Sequence, residues 1–179
     1  MTVLVTRRMR LEPFTDAHLE GLYDMDSDPE VMRYIPGGVE TREQTLATIE
    51  RVKARWLERG YSWWSFIELA SGQIVGSGCI QHLGRDQANP LEIGWRLRRD
   101  CWRQGLAVEA AEAMGDFAFE TVGAGLLCAV CYPDNLRSAG LMERLGMRYR
   151  GIEHWYDADM KAYETTGPEW ARRRAAGRA

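Results

Sequence analysis

The sequence predicts a mixed α/β (α+β) fold in a single domain spanning residues 1–179. Three observations support this. The length of 179 residues suits one well-filled core and is short for two. An apolar fraction of 45% with seven tryptophans supplies enough surface to bury. Along the chain, hydrophobic spacing switches repeatedly between the two-residue repeat of strands and the 3.6-residue repeat of helices, with no repeat or linker between the segments.

The elements follow in order. Leu4, Thr6, Arg8, Arg10 with Val5, Met9 and Leu11 give a strand-type pattern ending at Pro13. A helix begins near Thr15 or Asp16 and carries Leu19, Leu22 and Tyr23 on one side. Asp28-Pro29 breaks it, and a second short helix runs from Pro29 to Tyr34, stopping at Pro36-Gly-Gly38. Thr41 opens a longer helix in which Leu46, Ile49, Val52 (or Lys53), Trp56 and Leu57 repeat at helical spacing, ended by Gly60. Tyr61 to Leu69 and Ile74 to Leu83 form a hairpin around Ser71-Gly72. Then come a strand at Leu91 to Leu97, a helix at about Gln104 to Thr121, and a strand at Leu126 to Cys131. A helix at Asn135 to Leu145 and strands at Met147 to Trp155 and Met160 to Thr165 complete the order, and the Arg172-Arg-Arg174 stretch is expected to be frayed and solvated.

Composition closes several classes. No segment is apolar for long enough to span a bilayer, and Met1 to Arg8 lacks the apolar stretch of a secretory signal, so a cytoplasmic protein with no membrane partner is expected. The formal charge of -3 argues against a nucleic-acid partner. Lys53 and Lys161 are the only lysines, so arginine supplies nearly all positive charge and only local clustering carries meaning. Cys128 and Cys131 have C-x-x-C spacing, but Leu126-Leu-Cys-Ala-Val-Cys131 reads as a buried strand and no second Cys/His pair follows. No metal site is expected there, and the thiols act as small hydrophobes.

Two segments carry chemistry. In the strand Leu91 to Leu97, Leu91, Ile93, Trp95 and Leu97 share one face, while Glu92, Gly94 and Arg96 share the other. A carboxylate beside a side-chain-free residue marks either a ligand cleft or an edge strand with one wet face. Arg96, Arg98, Arg99 and Arg103 then concentrate positive charge beside Gln104-Gly-Leu-Ala107, where the start of a helix leaves N–H donors for an anion. The helix is amphipathic, with Ala107, Ala110, Ala111, Met114, Phe117 and Ala118 on one side. Downstream, Asn135 and Ser138 lie three apart and share a helix face, which fits either a polar site or ordinary capping.

The order of elements and these two segments resemble the GNAT N-acetyltransferase superfamily, in its ribosomal-protein-alanine N-acetyltransferase-like (Rim-type) branch. The resemblance covers nearly the whole chain and includes Thr6-Arg-Arg-Met-Arg-Leu11, Glu92-Ile-Gly-Trp95, Glu109, Tyr163 and Glu169-Trp170. It implies a central, twisted, mostly antiparallel sheet of six to seven strands flanked by four to five helices. It implies acetyl-CoA as co-substrate, held by the backbone of Trp95, Arg96 and Leu97 along the pantetheine and by Arg103, Gln104, Gly105, Leu106, Ala107 and Val108 around the pyrophosphate. Asn135 and Ser138 would lie near the pantetheine and its sulfur. Three residues depart from the family pattern: Trp102 stands where Arg or Gln is usual, Arg103 stands where Gly is frequent, and Met142 replaces the tyrosine that protonates the leaving thiolate in many relatives.

The reaction needs a neutral amine held against a thioester. Glu92 is the candidate base, acting through a water, Ser138 the candidate donor to the CoA thiolate, and Asn135 the group that orients the pantetheine. The expected partner is a small-molecule or peptide amine, and a homodimer stays open. Asp24, Asp26, Asp28 and Glu30 are candidates to attract a cationic amine, against a solvated acidic loop. Of Trp63 and Trp64, one is expected in the core and the other lining the acceptor side. The alternatives are a non-catalytic acyl-CoA-binding or sensing module, and an enzyme with a different acyl-CoA donor.

Overall fold

The computed structural model describes residues 1–177, so the end of the expected 1–179 domain lies outside the described residues. Eight strands hydrogen-bond in the order β1-β2-β3-β4-β5-β6-β8-β7. They are β1 (Leu4–Val5), β2 (Met9–Pro13), β3 (Trp63–Glu68), β4 (Ile74–His82), β5 (Leu91–Leu97), β6 (Leu126–Cys131), β7 (Arg148–Trp155) and β8 (Ala158–Thr166). Six α-helices accompany them: α1 (Leu19–Asp26), α2 (Pro29–Met32), α3 (Arg42–Arg59), α4 (Leu106–Asp116), α5 (Leu136–Arg144) and α6 (Gly167–Ala176). None of the described helices is long and apolar enough to cross a membrane.

The mixed α+β class is as expected, with one strand and one helix beyond the counts the resemblance implied. The extra strand arises because the N-terminal segment folds back at Thr6, whose backbone and hydroxyl both donate to the Met9 carbonyl, at 2.8 and 3.1 Å. The extra helix is α6, in the stretch expected to be frayed. Thr166 and Glu169 form a capping box at its start, and the Arg174 guanidinium reaches Asp116 at 2.8 Å.

The chain forms two compact units, one of Met1–Cys79 with Trp95–Ala113, the other of Ile80–Gly94 with the residues from Met114 onward. In the first, β1 to β4 pair antiparallel, with Leu11 opposite Phe66 and Pro13 opposite Trp64. Helix α3 begins on a Thr41–Gln44 capping box and ends at Gly60 in the left-handed region, φ 76°. Its buried face is Thr45, Ile49, Val52 and Trp56, whereas Leu57 is 82% exposed and Leu46 also lies outside the core. Thr45 can be buried because its hydroxyl donates to the Thr41 carbonyl at 3.1 Å, which rotates the stripe one position from the leucine pattern. Trp56 meets Trp64 edge-on at 4.9 Å, joining α3 to β3.

In the second unit, β5 and β6 run parallel and pair at Leu91–Leu127 and Glu92–Cys128, while β8 pairs antiparallel with both β6 and β7. Trp170 of α6 is buried, packs on Phe119 at 5.9 Å and donates its indole N–H to Asp116 at 2.7 Å. The last turn of the helix that begins as α4 widens to π geometry at Phe117–Thr121, keeping Phe117 and Ala118 in the core.

Candidate active site

The first unit holds the loop that leads into α4. Arg103 and Gly105 both take positive φ, 62° and 78°. The backbone turns so that none of the N–H groups from Arg103 to Val108 bonds an acceptor among the described residues; the first such bond is Glu109 N–H to Gly105 O, 3.2 Å. Three of these donors are the orphans of a helix start and three belong to the loop, and unpaired N–H groups of this kind suit phosphate oxygens. Arg8 braces the loop from β2's approach: its side chain donates to the Gln104 carbonyl at 2.8 Å and to Glu109 at 2.7 Å, and its backbone N–H donates to the same carboxylate at 2.7 Å. Burial works to raise the Glu109 pKa, but the bonds from Thr6 and Arg8 hold it below the usual carboxylate range.

The positive charge around this loop is smaller than the arginine count suggests. Arg96 is buried, makes a bidentate pair with Asp26 and stacks over Trp63 at 4.8 Å. Arg98 pairs with Asp100 at 2.7 Å and Arg99 lies 3.6 Å from Asp28. Arg103 alone of the four is exposed with no ion pair among the described residues. Trp102 donates its indole N–H to the Leu97 carbonyl at 2.9 Å, so the loop is tied back to the end of β5.

The acidic segment is divided in the same way. Asp26 is 1% exposed and faces Arg96, and Asp28 caps α2 by accepting the Glu30 N–H at 2.9 Å. Asp24 and Glu30 are exposed. Trp64 is the core member of the tryptophan pair, and Trp63 is half-buried against Arg96 and Phe14.

In the second unit, Glu92 is 7% exposed. Its Oε2 accepts from the Tyr156 hydroxyl and from Gln81 Nε2, the latter at 3.2 Å. Burial pushes its carboxyl above the ordinary range; the bonds from Tyr156 and Gln81 and the charge of Arg85 oppose this without cancelling it. Tyr156 and Gln81 were not singled out from the sequence. A glutamine inside the apolar run of β4 was a usable signal, whereas Tyr156 sits in a turn where nothing local marks it.

At α5, Asn135 is the N-cap: its Oδ1 accepts the Ser138 N–H at 3.2 Å, so capping is its observed task. Ser138 is half-buried and its hydroxyl bonds no described residue. Met142 is 2% exposed and has no proton to give. Tyr163 donates to Glu143 at 3.3 Å, and burial with that carboxylate pushes its phenol up to about 12. Cys128 and Cys131 are buried, with thiols pushed up to about 11 by desolvation, as suits small core side chains.

Comparisons with known proteins bear on the family and the fold. The profile of the acetyltransferase (GNAT) domain matches residues 8–148. The uncharacterized N-acetyltransferase YnaD of Bacillus subtilis is 29% identical over 149 residues, covering 83% of this chain and 84% of that protein. The uncharacterized protein YkkB of the same organism is 30% identical over 164 residues, covering 91% and 95%. Among solved structures, a GNAT-family acetyltransferase from Bacillus anthracis matches with a TM-score of 0.79 at 25% identity, over 92% of this chain and 98% of that one.

Proposed function

The chain belongs to the GNAT acetyltransferase family, and we propose that it moves an acetyl group from acetyl-CoA to a primary amine by direct attack on the thioester. The observation that carries the donor half is the row of N–H groups from Arg103 to Val108 that bond no acceptor among the described residues, with the exposed Arg103 guanidinium beside it. These bind the pyrophosphate, and the backbone of Trp95, Arg96 and Leu97 guides the pantetheine. The profile match runs through residues of both compact units, which supports one catalytic domain.

Glu92 removes the proton from the incoming amine, directly or through a water. Burial raises the Glu92 carboxyl above its ordinary range, the direction that strengthens a carboxylate as a proton acceptor. The nitrogen lone pair attacks the carbonyl carbon, the C–N bond forms, and the C–S bond breaks as the tetrahedral intermediate collapses. Ser138 has a free hydroxyl to donate to the departing thiolate, the task that Met142 cannot perform. Asn135 keeps its Nδ2 for the pantetheine while its Oδ1 caps the helix. The acceptor is a protein N-terminus or a small amine, and Asp24 and Glu30 are the exposed carboxylates that favour a cationic one.

An acetyl-CoA consumption assay across peptides and small amines tests this. Glu92→Gln is expected to cut turnover at least ten-fold with acetyl-CoA affinity unchanged. Tight acetyl-CoA binding with no turnover on any amine would favour an acyl-CoA-binding module, and a preference for a longer acyl chain would revise the donor.

A further inference from the structure

The Glu92 carboxyl is held at one oxygen only. Oε2 receives both the Tyr156 hydroxyl and Gln81 Nε2, whereas Oε1 bonds no described residue. The Tyr156 oxygen is itself fixed from three sides, since it donates to Glu92 and accepts from Gly84 N–H at 3.1 Å and from Gln81 Nε2 at 3.3 Å. The backbone bears strain to put the phenol there. Tyr156 and Asp157 are the two central residues of the turn between β7 and β8, with φ 53° and 60°, and Trp155 pairs with Ala158 across it. An aromatic residue is unfavourable in the left-handed region, where glycine or asparagine is the ordinary choice.

We propose that Tyr156 is a positioning residue for the acetyl transfer: with Gln81 it fixes Oε2 of Glu92 and leaves Oε1 as the oxygen that takes the amine proton. This rests on the assignment of Glu92 as the base. The remaining charged or titratable neighbours are Arg85, whose guanidinium lies 5.8 Å from the Tyr156 ring centre and whose charge acts on Glu92, and Cys128, its partner on β6. Cys128 is neutral across the working range, and Arg85 stays charged. The hydrogen bonds at Oε2, together with the charge of Arg85, distinguish the carboxyl's ionisation from that of a bare buried acid.

Tyr156→Phe tests the role, read by carbon-13 NMR titration of the Glu92 carboxyl and by the pH profile of kcat/KM. Losing the donor is expected to move the Glu92 midpoint and the acid limb together to higher pH, by about one unit, with KM for acetyl-CoA within about two-fold of wild type. Gln81→Met is expected to move both the same way. If Tyr156→Phe lowers Tm but leaves midpoint and limb in place, Tyr156 only staples the turn and the proposal is overturned. Glu92→Gln separates the two ideas. Loss of the acid limb in that variant keeps the base assignment even when Tyr156→Phe is silent, whereas an unchanged limb removes Glu92 as base and the role of Oε1 with it.

Discussion

Asp26 grips Arg96 through two hydrogen bonds, 2.8 and 2.7 Å long, with both side chains almost wholly out of water. The pair takes one carboxylate from the acidic segment and one guanidinium from the arginine-rich stretch, so neither is free for a ligand. Trp63 closes over it, which makes it a fixed wall of the first unit.

Breaking that pair from one side leaves a buried, unsatisfied charge. Asp26→Ala is expected to lower unfolding free energy by about 3 to 5 kcal/mol in urea titrations. The double variant Asp26→Leu with Arg96→Met is expected to recover most of the loss, because burying neither charge avoids the desolvation cost altogether. Arg96→Lys is expected to behave like a disruption, since lysine has no planar fork to match the carboxylate.

Glu92 makes stability depend on pH. Its carboxyl is raised in the folded state, so its contribution is fully present below the ordinary carboxylate value and is lost as pH rises through the raised one. Glu92→Gln, which stays neutral, is therefore expected to gain in Tm over wild type as pH rises above the ordinary carboxylate range, with little difference below it. Thermal melts across that range check it, and a difference that shrinks as pH rises would contradict the sign.

The phosphate loop separates binding from folding. Arg103 has no ion pair among the described residues and sits exposed, so Arg103→Ala is expected to leave Tm unchanged. Calorimetry with CoA is expected to show roughly ten-fold weaker binding and a shallower salt dependence, as one phosphate contact is lost. Gly105→Ala must place a side chain at φ 78°, and weaker CoA binding is expected there through a distorted row of N–H donors.

Gly115 marks a close approach of two helices in the second unit. A Cβ there would lie 2.3 Å from the Trp170 ring. Gly115→Ala is expected to cost about 1 to 3 kcal/mol despite the better helix propensity of alanine, because the indole is also anchored to Asp116. Combining it with Trp170→Phe is expected to restore part of the loss, measured by the same urea titrations.

Much of this architecture was legible in the sequence, and the limits have physical causes. The strands at Leu91–Leu97 and Leu126–Cys131 agree in their bounds with the structure, because turn residues and a switch in periodicity flank each. Helix α3 was legible in span but not in facing, since a satisfied threonine outcompeted two leucines for the core. Helix α6 was obscured by its arginines, which read as solvated until Asp116 and the Arg144 carbonyl supply partners far away in sequence. The site behaved likewise. The loop from Arg103 to Val108 is local and could be read directly, but the contacts at Glu92 join residues 11 and 64 positions away. Local spacing has no means of announcing them.

The turn at Tyr156 and Asp157 sets stability engineering against turnover. Two left-handed residues invite replacement by Asn-Gly, a relaxation of roughly 1 kcal/mol or more per residue. Asp157→Gly takes that gain without touching Glu92, whereas Tyr156→Asn trades the phenol for an easier backbone. A variant library sorted on heat resistance is expected to collect Asp157→Gly, whereas Tyr156→Asn also gives up the bonds to Glu92, Gly84 and Gln81. Under the proposed role of Tyr156, selection at this turn has to be scored on turnover as well as on Tm.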